Sequence, residues 1–488
     1  MSGIGSRDSV PGGGEGQRPL PSWPFFLLAL LALTAIRLWI AAQTPLSPDE
    51  AYYWVWSRHL QAGYYDHPPV IALAIRLTTA LFGNGLFGIR MAAALCMAGA
   101  VIYVLATARA VFGERVVAPT LVLALLLPMT EMGFTLATPD APLTLFWAAG
   151  VYHGMRAACA PDGERRWADI VLAGIASGLA MASKYTGLLL PVSVLLFLIL
   201  RRRDLLLTIR PWVAVVVAIA VFSPVLWWNA QHGFKSFAFQ YAHGSDAGFR
   251  IHWRLFAQFI GGQFAVLSPV VLILLVARLV RWREWWGDDR RLFLATLVAA
   301  PLALFLYKGL FVKIQLNWAT PAYIAAIPLV ADFIVSKRLW RTAAFGAVLA
   351  IAMIVAIKWP LALDLEGRLN IQSRLFGSHQ AAAAVARARR PGDALFADNQ
   401  TRAALLTYLL PGHPRVYIPT DAPYSQYTMW DAGTDFRAMH GLYLSKYDQM
   451  GDLKKVFGRV VLLKQVVARA PGFRTERYFL YRVGPAGG

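Results

Sequence analysis

Long apolar runs separated by short polar stretches dominate the first three quarters of the chain. They fall at residues 24–42, 86–108, 116–134, 141–157, 168–183, 186–200, 211–228, 259–280, 292–307, 316–335 and 343–359. A helix of roughly 20 apolar residues crosses a bilayer, so the pattern predicts eleven membrane-spanning helices. A membrane β-barrel would show weak alternation instead of such runs. From about residue 364 no run is long enough to span. Helix-like pieces (379–390, 402–410) alternate there with strand-like ones (415–418, 459–463, 477–482), which predicts a small α/β unit. Residues 1–22 are polar and Gly-rich and are expected to be disordered. The first apolar run is too long for a signal-peptide core and reads as an uncleaved span. The expected organisation is a tail at 1–22, a membrane domain at 23–363 with an outer loop at 44–85, and a terminal domain at 364–488.

Composition agrees with this class. The chain has 488 residues, 57% hydrophobic and 15% charged, with mean hydropathy +0.49. A soluble chain carries about 25% charged residues. The net charge of +20 would raise nucleic-acid binding in a soluble protein. Here most of the basic residues sit in short loops between apolar runs. With the N-terminus in the cytoplasm, every basic cluster falls inside: Arg109 with Arg115, Arg165 with Arg166, Arg201 to Arg203 with Arg210, Arg278 to Arg291, and Lys337 to Arg341. That is the positive-inside rule, and no nucleic-acid partner is expected. Two cysteines, Cys96 and Cys159, provide neither a disulfide framework nor a Cys-rich zinc site.

The same choice puts an unusual set of residues on the outer face. Ser47-Pro48-Asp49-Glu50-Ala51-Tyr52-Tyr53 follows the first run. Asp66-His67-Pro68-Pro69 comes soon after, and six aromatic rings lie between Tyr52 and Tyr65. Ser47 and Pro48 with two acids are also a good helix start. Capping alone leaves Asp66 and His67 unexplained, and ionisable groups at a membrane edge are functional candidates. Thr138-Pro139-Asp140 opens the fourth run. Asp140 has no basic neighbour in sequence, so its partner must be a substrate, a metal ion or a base from another loop. Lys184, in Ser183-Lys184-Tyr185-Thr186-Gly187, is either a snorkelling side chain or a phosphate ligand facing the acids. Lys308 and Lys313 read the same way, more weakly. Asn229, Gln231 and His232 follow Trp227-Trp228, and Asn317 precedes Trp318. Such tryptophans are ordinary interface residues, and the polar groups are candidates to bind a sugar or lipid head. Asp49, Glu50, Asp66 and His67 suit several divalent ions, but their spacing matches no zinc signature, and no cofactor is firmly implied.

Together the Asp-Glu pair, Tyr-Tyr-Asp-His-Pro-Pro, Thr-Pro-Asp, Ser-Lys-Tyr-Thr-Gly and Trp-Asn-Ala-Gln-His-Gly resemble bacterial members of glycosyltransferase family 39. These are relatives of the protein O-mannosyltransferases and the lipid A aminoarabinose transferase. The resemblance implies a GT-C membrane fold in the inner membrane. It also implies a sugar donor on a polyprenyl phosphate, and transfer on the periplasmic face to a lipid-anchored or protein acceptor. It marks Asp49 as the catalytic carboxylate with Glu50 beside it, and Asp140 as a second acid. It puts Lys184 near the carrier phosphate, with Lys308 and Lys313 as further candidates. Tyr52, Tyr53, Asp66, His67, Asn229, His232 and Asn317 are expected to bind substrate. The terminal domain is expected in the periplasm. A lipid-linked glycan ligase or polymerase, or a lipid-linked sugar transporter, is the alternative. A ligase is expected to rest on outer-loop Arg and His, and a transporter on repeated halves. No such repeat is visible.

Overall fold

The computed structural model describes residues 23–485 except 162, 246–249, 360–374, 376 and 420–423. The expected tail at 1–22 and the boundary near 364 lie outside the described residues. The apolar runs are helical. Six described helices are long and apolar enough to cross a membrane, or up to eight if each of two bent pairs is one span. The expected runs at 168–183 and 186–200 appear as shorter apolar helices, Trp167–Ser183 and Tyr185–Arg201.

Two runs, each expected to be a single span, are broken. Glu114–Leu126 and Pro128–Thr135 meet at 65°. Proline lacks an N–H and pushes the preceding residue out of the helical region, and Leu127 is extended. Trp253–Leu267 and Pro269–Val280 meet at 106°. Ser268, between them, takes φ +70°. Both breaks lie at X-Pro steps that average hydropathy does not register.

The outer loop begins with the expected helix and adds a second one. It contains an 11-residue helix, Pro48–Arg58, and the apolar helix Val70–Phe82. Ser47 accepts from the Glu50 N–H, and Glu50 accepts from the Ser47 N–H. This capping box satisfies donors that a helix start leaves orphaned.

Small residues let neighbouring helices approach. A Cβ on Gly174 would lie 2.6 Å from the Ala214 carbonyl oxygen, and one on Gly178 would lie 2.6 Å from Val221. This is the small-residue contact typical of membrane helix pairs. It joins Trp167–Ser183 to Ile209–Gln231.

The terminal unit holds one five-stranded sheet. Its strands are β1 (Ala394–Ala397), β2 (Val416–Tyr417), β3 (Gly441–Ser445), β4 (Arg459–Ala468) and β5 (Glu476–Gly484). Their order is β2-β1-β3-β5-β4. β1 is parallel to β2 and β3, while β5 is antiparallel to β3 and β4. Helices Ser378–Ala388 and Gln400–Leu409 match the helix-like pieces of the sequence. Gln400–Leu409 packs on Pro48–Arg58 and so fixes the terminal unit to the outer loop.

Candidate active site

A cavity of about 660 Å³ opens where the outer ends of the membrane helices meet the outer loop and the terminal unit. Asp49, Tyr52, Tyr53, Asp66, His67, Asp140, Lys184, Lys308 and Asn317 all line it. Nine of the thirteen residues singled out by sequence are thus brought together from six separate stretches of chain.

Each is placed by local structure. The capping box directs Asp49 outward from the first turn of its helix, and Asp49 is exposed to the cavity. Asp49 has no side-chain hydrogen bond or ion pair among the described residues. Surrounding protein, and then the charge of Glu50, raise its carboxyl above the ordinary value. Asp140 begins its helix just after the broken Pro128–Thr135 segment. Its missing partners come from elsewhere in the chain. Lys184 Nζ lies 2.8 Å from Oδ1, and Asn317 Nδ2 donates to Oδ2 at 2.8 Å. Lys184 is held at a sharp turn that needs glycine, because a Cβ on Gly187 would lie 2.3 Å from the Ala180 carbonyl. Lys184 is therefore a cavity residue paired to an acid, and the snorkelling alternative does not describe it.

The aromatic ring set forms the roof. Tyr52 donates to Asp66 Oδ2 at 2.7 Å and accepts from the Gln426 N–H at 3.0 Å. Its ring stacks with Tyr427, centroids 5.9 Å apart. Gln426 also accepts from the Tyr65 N–H at 2.8 Å. Burial raises the Asp66 carboxyl to about 6, against the lowering effect of the Tyr52 hydrogen bond.

Four expected site residues do not line the cavity. Glu50 is fully buried in a salt bridge with Arg90. Arg90 Nε and Nη2 donate to Glu50 at 2.9 and 2.8 Å, and the Ala137 N–H donates at 3.1 Å. Arg90 also donates to the carbonyls of Ala41, Thr44 and Pro45. Glu50 thus ties the first span, the outer loop and the approach to Asp140, and does not face the cavity. Asn229 is buried and donates to the Val225 carbonyl at 3.0 Å. His232 stacks on Trp228 at 4.1 Å. Trp228 in turn packs over Gly63, where a Cβ would lie 2.8 Å from the indole, so this motif supports the aromatic loop from behind. Lys313 is exposed and outside the cavity.

The metal alternative meets the same obstacle. With Glu50 committed to Arg90, no group of three or more His, Cys, Asp or Glu able to hold a metal ion occurs among the described residues.

Sequence reasoning missed Gln240, Gln315, Gln400 and Thr401, which also line the cavity. Gln240 donates to the Asp66 carbonyl at 2.7 Å. Gln400 and Thr401 come from the terminal unit, some 350 residues after Asp49, and carry no local signal.

Residues 66–228 match the family described as dolichyl-phosphate-mannose-protein mannosyltransferase. The chain is 29% identical over 359 residues to lipid A galacturonosyltransferase RgtD of Rhizobium johnstonii, covering 71% of this chain and 70% of that one. It is 28% identical over 306 residues to an undecaprenyl phosphate-alpha-4-amino-4-deoxy-L-arabinose arabinosyl transferase of Pseudomonas fluorescens, covering 58% and 52%. Its fold matches that of ArnT from Cupriavidus metallidurans bound to undecaprenyl phosphate, with TM-score 0.65 at 16% identity over 94% of this chain and 98% of that one. The resemblance read from the motifs is upheld as far as fold and class: the chain is a multi-pass membrane protein with the GT-C glycosyltransferase fold, and it is similar to the mannosyltransferase family and the two transferases named here.

Proposed function

We propose that the protein is a membrane glycosyltransferase that moves a sugar from a polyprenyl-phosphate carrier to a lipid A-type acceptor of the cell envelope, on the periplasmic face. The observation that carries this reading is the cavity itself. It holds a carboxylate, Asp49, that has no hydrogen bond or ion pair among the described residues, together with the Asp140–Lys184 pair and Lys308. The relatives' names supply the substrate classes, a lipid-linked sugar donor and lipid A.

The chemistry needs a base for the acceptor hydroxyl and positive charge for the departing phosphate. Asp49 takes the hydroxyl proton. Its raised affinity for protons makes it a better base than an ordinary aspartate. The acceptor oxygen bonds to the anomeric carbon as the bond to the carrier phosphate breaks, and the electron pair leaves with the phosphate. Lys184, released in part from Asp140, and Lys308 stabilise that charge. Asp140 and Asn317 position Lys184. One displacement inverts the anomeric centre. The membrane domain carries eleven spans, with a cytoplasmic N-terminus and the terminal domain in the periplasm of the inner membrane.

The test is mass spectrometry of lipid A, other envelope glycans and glycoproteins in cells with the wild-type protein, without it, and with Asp49→Asn. One sugar mass absent from a defined molecule in both defective strains is expected. A loss restored by the Asp49→Asn protein would point to a transporter or ligase. A topology reporter after Arg338 is expected to read cytoplasmic, and one at Gly488 periplasmic. The reverse at either site breaks the eleven-span layout.

A further inference from the structure

The outer loop carries a second charged feature, away from the cavity. Arg58 closes the Pro48–Arg58 helix. It lies about two and a half helical turns after Asp49, so it projects on the opposite side of that helix and does not line the cavity. Its guanidinium donates to Asn84 Oδ1 at 3.1 Å, to Thr79 Oγ1 and to Ser57 Oγ, and lies 5.5 Å from the Trp54 ring. Thr79 belongs to the Val70–Phe82 helix, three residues after Arg76. Residues at that spacing are neighbours on a helix surface. The Thr79 contact therefore brings the guanidinium groups of Arg58 and Arg76 to one place.

No acid answers them. The acceptors that Arg58 meets among the described residues, Ser57, Thr79 and Asn84, are all neutral. Arg76 is exposed and has no ion pair among the described residues. Burial, and then the charge of Arg76, lower the Arg58 guanidinium from its ordinary value. Neighbouring helices treat their cations otherwise: Arg90 is held by Glu50, Lys184 by Asp140 and Arg37 by Glu131. The helix that carries Arg76 also shows a bare apolar stripe. Leu73, Leu77 and Leu81 recur at every fourth position and are 43%, 66% and 77% exposed. Arg76 lies between the first two of them in sequence. A helix with one apolar face and a cation at its edge suits the plane of the membrane interface.

We propose that this face of the outer loop docks an anionic phospholipid of the leaflet on the cavity side, its phosphate held between Arg58 and Arg76 and its chains over Leu73, Leu77 and Leu81. The stripe alone would take any lipid chain, and the cation pair alone any soluble anion. Side by side, they select a molecule that is both. The lipid would be distinct from a sugar carrier bound at Lys184 and Lys308, which line the cavity. It would fasten the Pro48–Arg58 helix at its far end, as the capping box fastens it at Asp49. The proposal stands independently of the transferase reading.

The test uses the full chain in neutral detergent and native mass spectrometry, titrated with two probes that share the same acyl chains, phosphatidylglycerol and zwitterionic phosphatidylcholine. Wild-type protein is expected to retain phosphatidylglycerol in preference. Arg76→Gln should weaken that binding about fivefold, as fits one arginine near a lipid headgroup, and Arg58→Gln with Arg76→Gln further. Arg341→Gln, an exposed arginine on another helix, should leave it unchanged. Leu77→Ser should weaken both lipids. Arg76 and Leu77 are exposed, so these variants keep the test decisive if the double variant fails to fold. Equal retention of the two lipids by wild-type protein overturns the proposal. So does phosphatidylglycerol binding that is untouched by Arg76→Gln, or weakened as much by Arg341→Gln. Displacement of phosphatidylglycerol by an equal concentration of inorganic phosphate would show a soluble-anion site and overturn it as well.

Discussion

Two regions one residue apart show how differently neighbouring acids are used. Asp49 faces the cavity, and its carboxylate has no hydrogen bond or ion pair among the described residues. Glu50 faces the opposite way, into a sealed knot with Arg90, the Ser47 and Ala137 N–H groups and three carbonyls held by the same guanidinium. An acid that faces a cavity without a partner can accept a proton at little structural cost. An acid that holds an arginine and two backbone donors is committed to binding those groups together. The knot reaches Ala137, three residues before Asp140, and so helps to fix the distance between Asp49 and Asp140.

The comparison breaks most readily at Asp49. Asp49→Asn removes the base and should lower transfer by about 10²–10⁴-fold, with the yield of folded protein unchanged. Near wild-type turnover of the purified variant would end the assignment. Glu50→Ala should behave in the opposite sense. Removing one partner of a buried ion pair costs about 3–5 kcal/mol, so folded yield and melting temperature should fall. A stable but inactive Glu50→Ala protein would restore Glu50 to the chemistry. Lys184→Ala tests the cavity side more gently. The expected outcome is a KM for the polyprenyl-phosphate donor raised about tenfold, in keeping with loss of one charge-assisted contact. An unchanged KM with lower kcat would assign Lys184 to holding Asp140 alone.

The smallest effect concerns Asp66. Its folded-state pKa of about 6 lies above the ordinary 3.8. The folded form therefore binds the proton more tightly, and this contribution to stability is present below about pH 4 and lost as pH rises to 6. Melting temperature measured across that window should decline in the wild type and lack that component in Asp66→Asn. Identical profiles would mean that the roof of the cavity does not feel this carboxyl.

The membrane class was legible, and so were Asp49, Asp66, Asp140, Lys184 and Lys308 as candidates that share one cavity, because hydropathy and charge placement act along the chain. Span length and the distribution of Arg and Lys need no tertiary information. The helix start at Ser47 was legible for the same reason. The two kinks were less so, although Leu127-Pro128 and Ser268-Pro269 carried the signal in a single residue each. The Glu50–Arg90 pair was not legible: forty residues separate its members, and Arg90 lies within an expected span. Gln400, Thr401 and Gln426 were equally silent. Ordinary glutamine and threonine residues acquire importance only when a separate unit folds over the outer loop.

The sequence by itself determined that this is a polytopic membrane protein, because apolar length and charge placement are set against the bilayer residue by residue. The tertiary structure decided which of those residues share a cavity, which acid was spent on holding an arginine, and that the terminal unit closes the site. Those are matters of side-chain direction and of contacts between distant segments, and they depend on how whole helices pack.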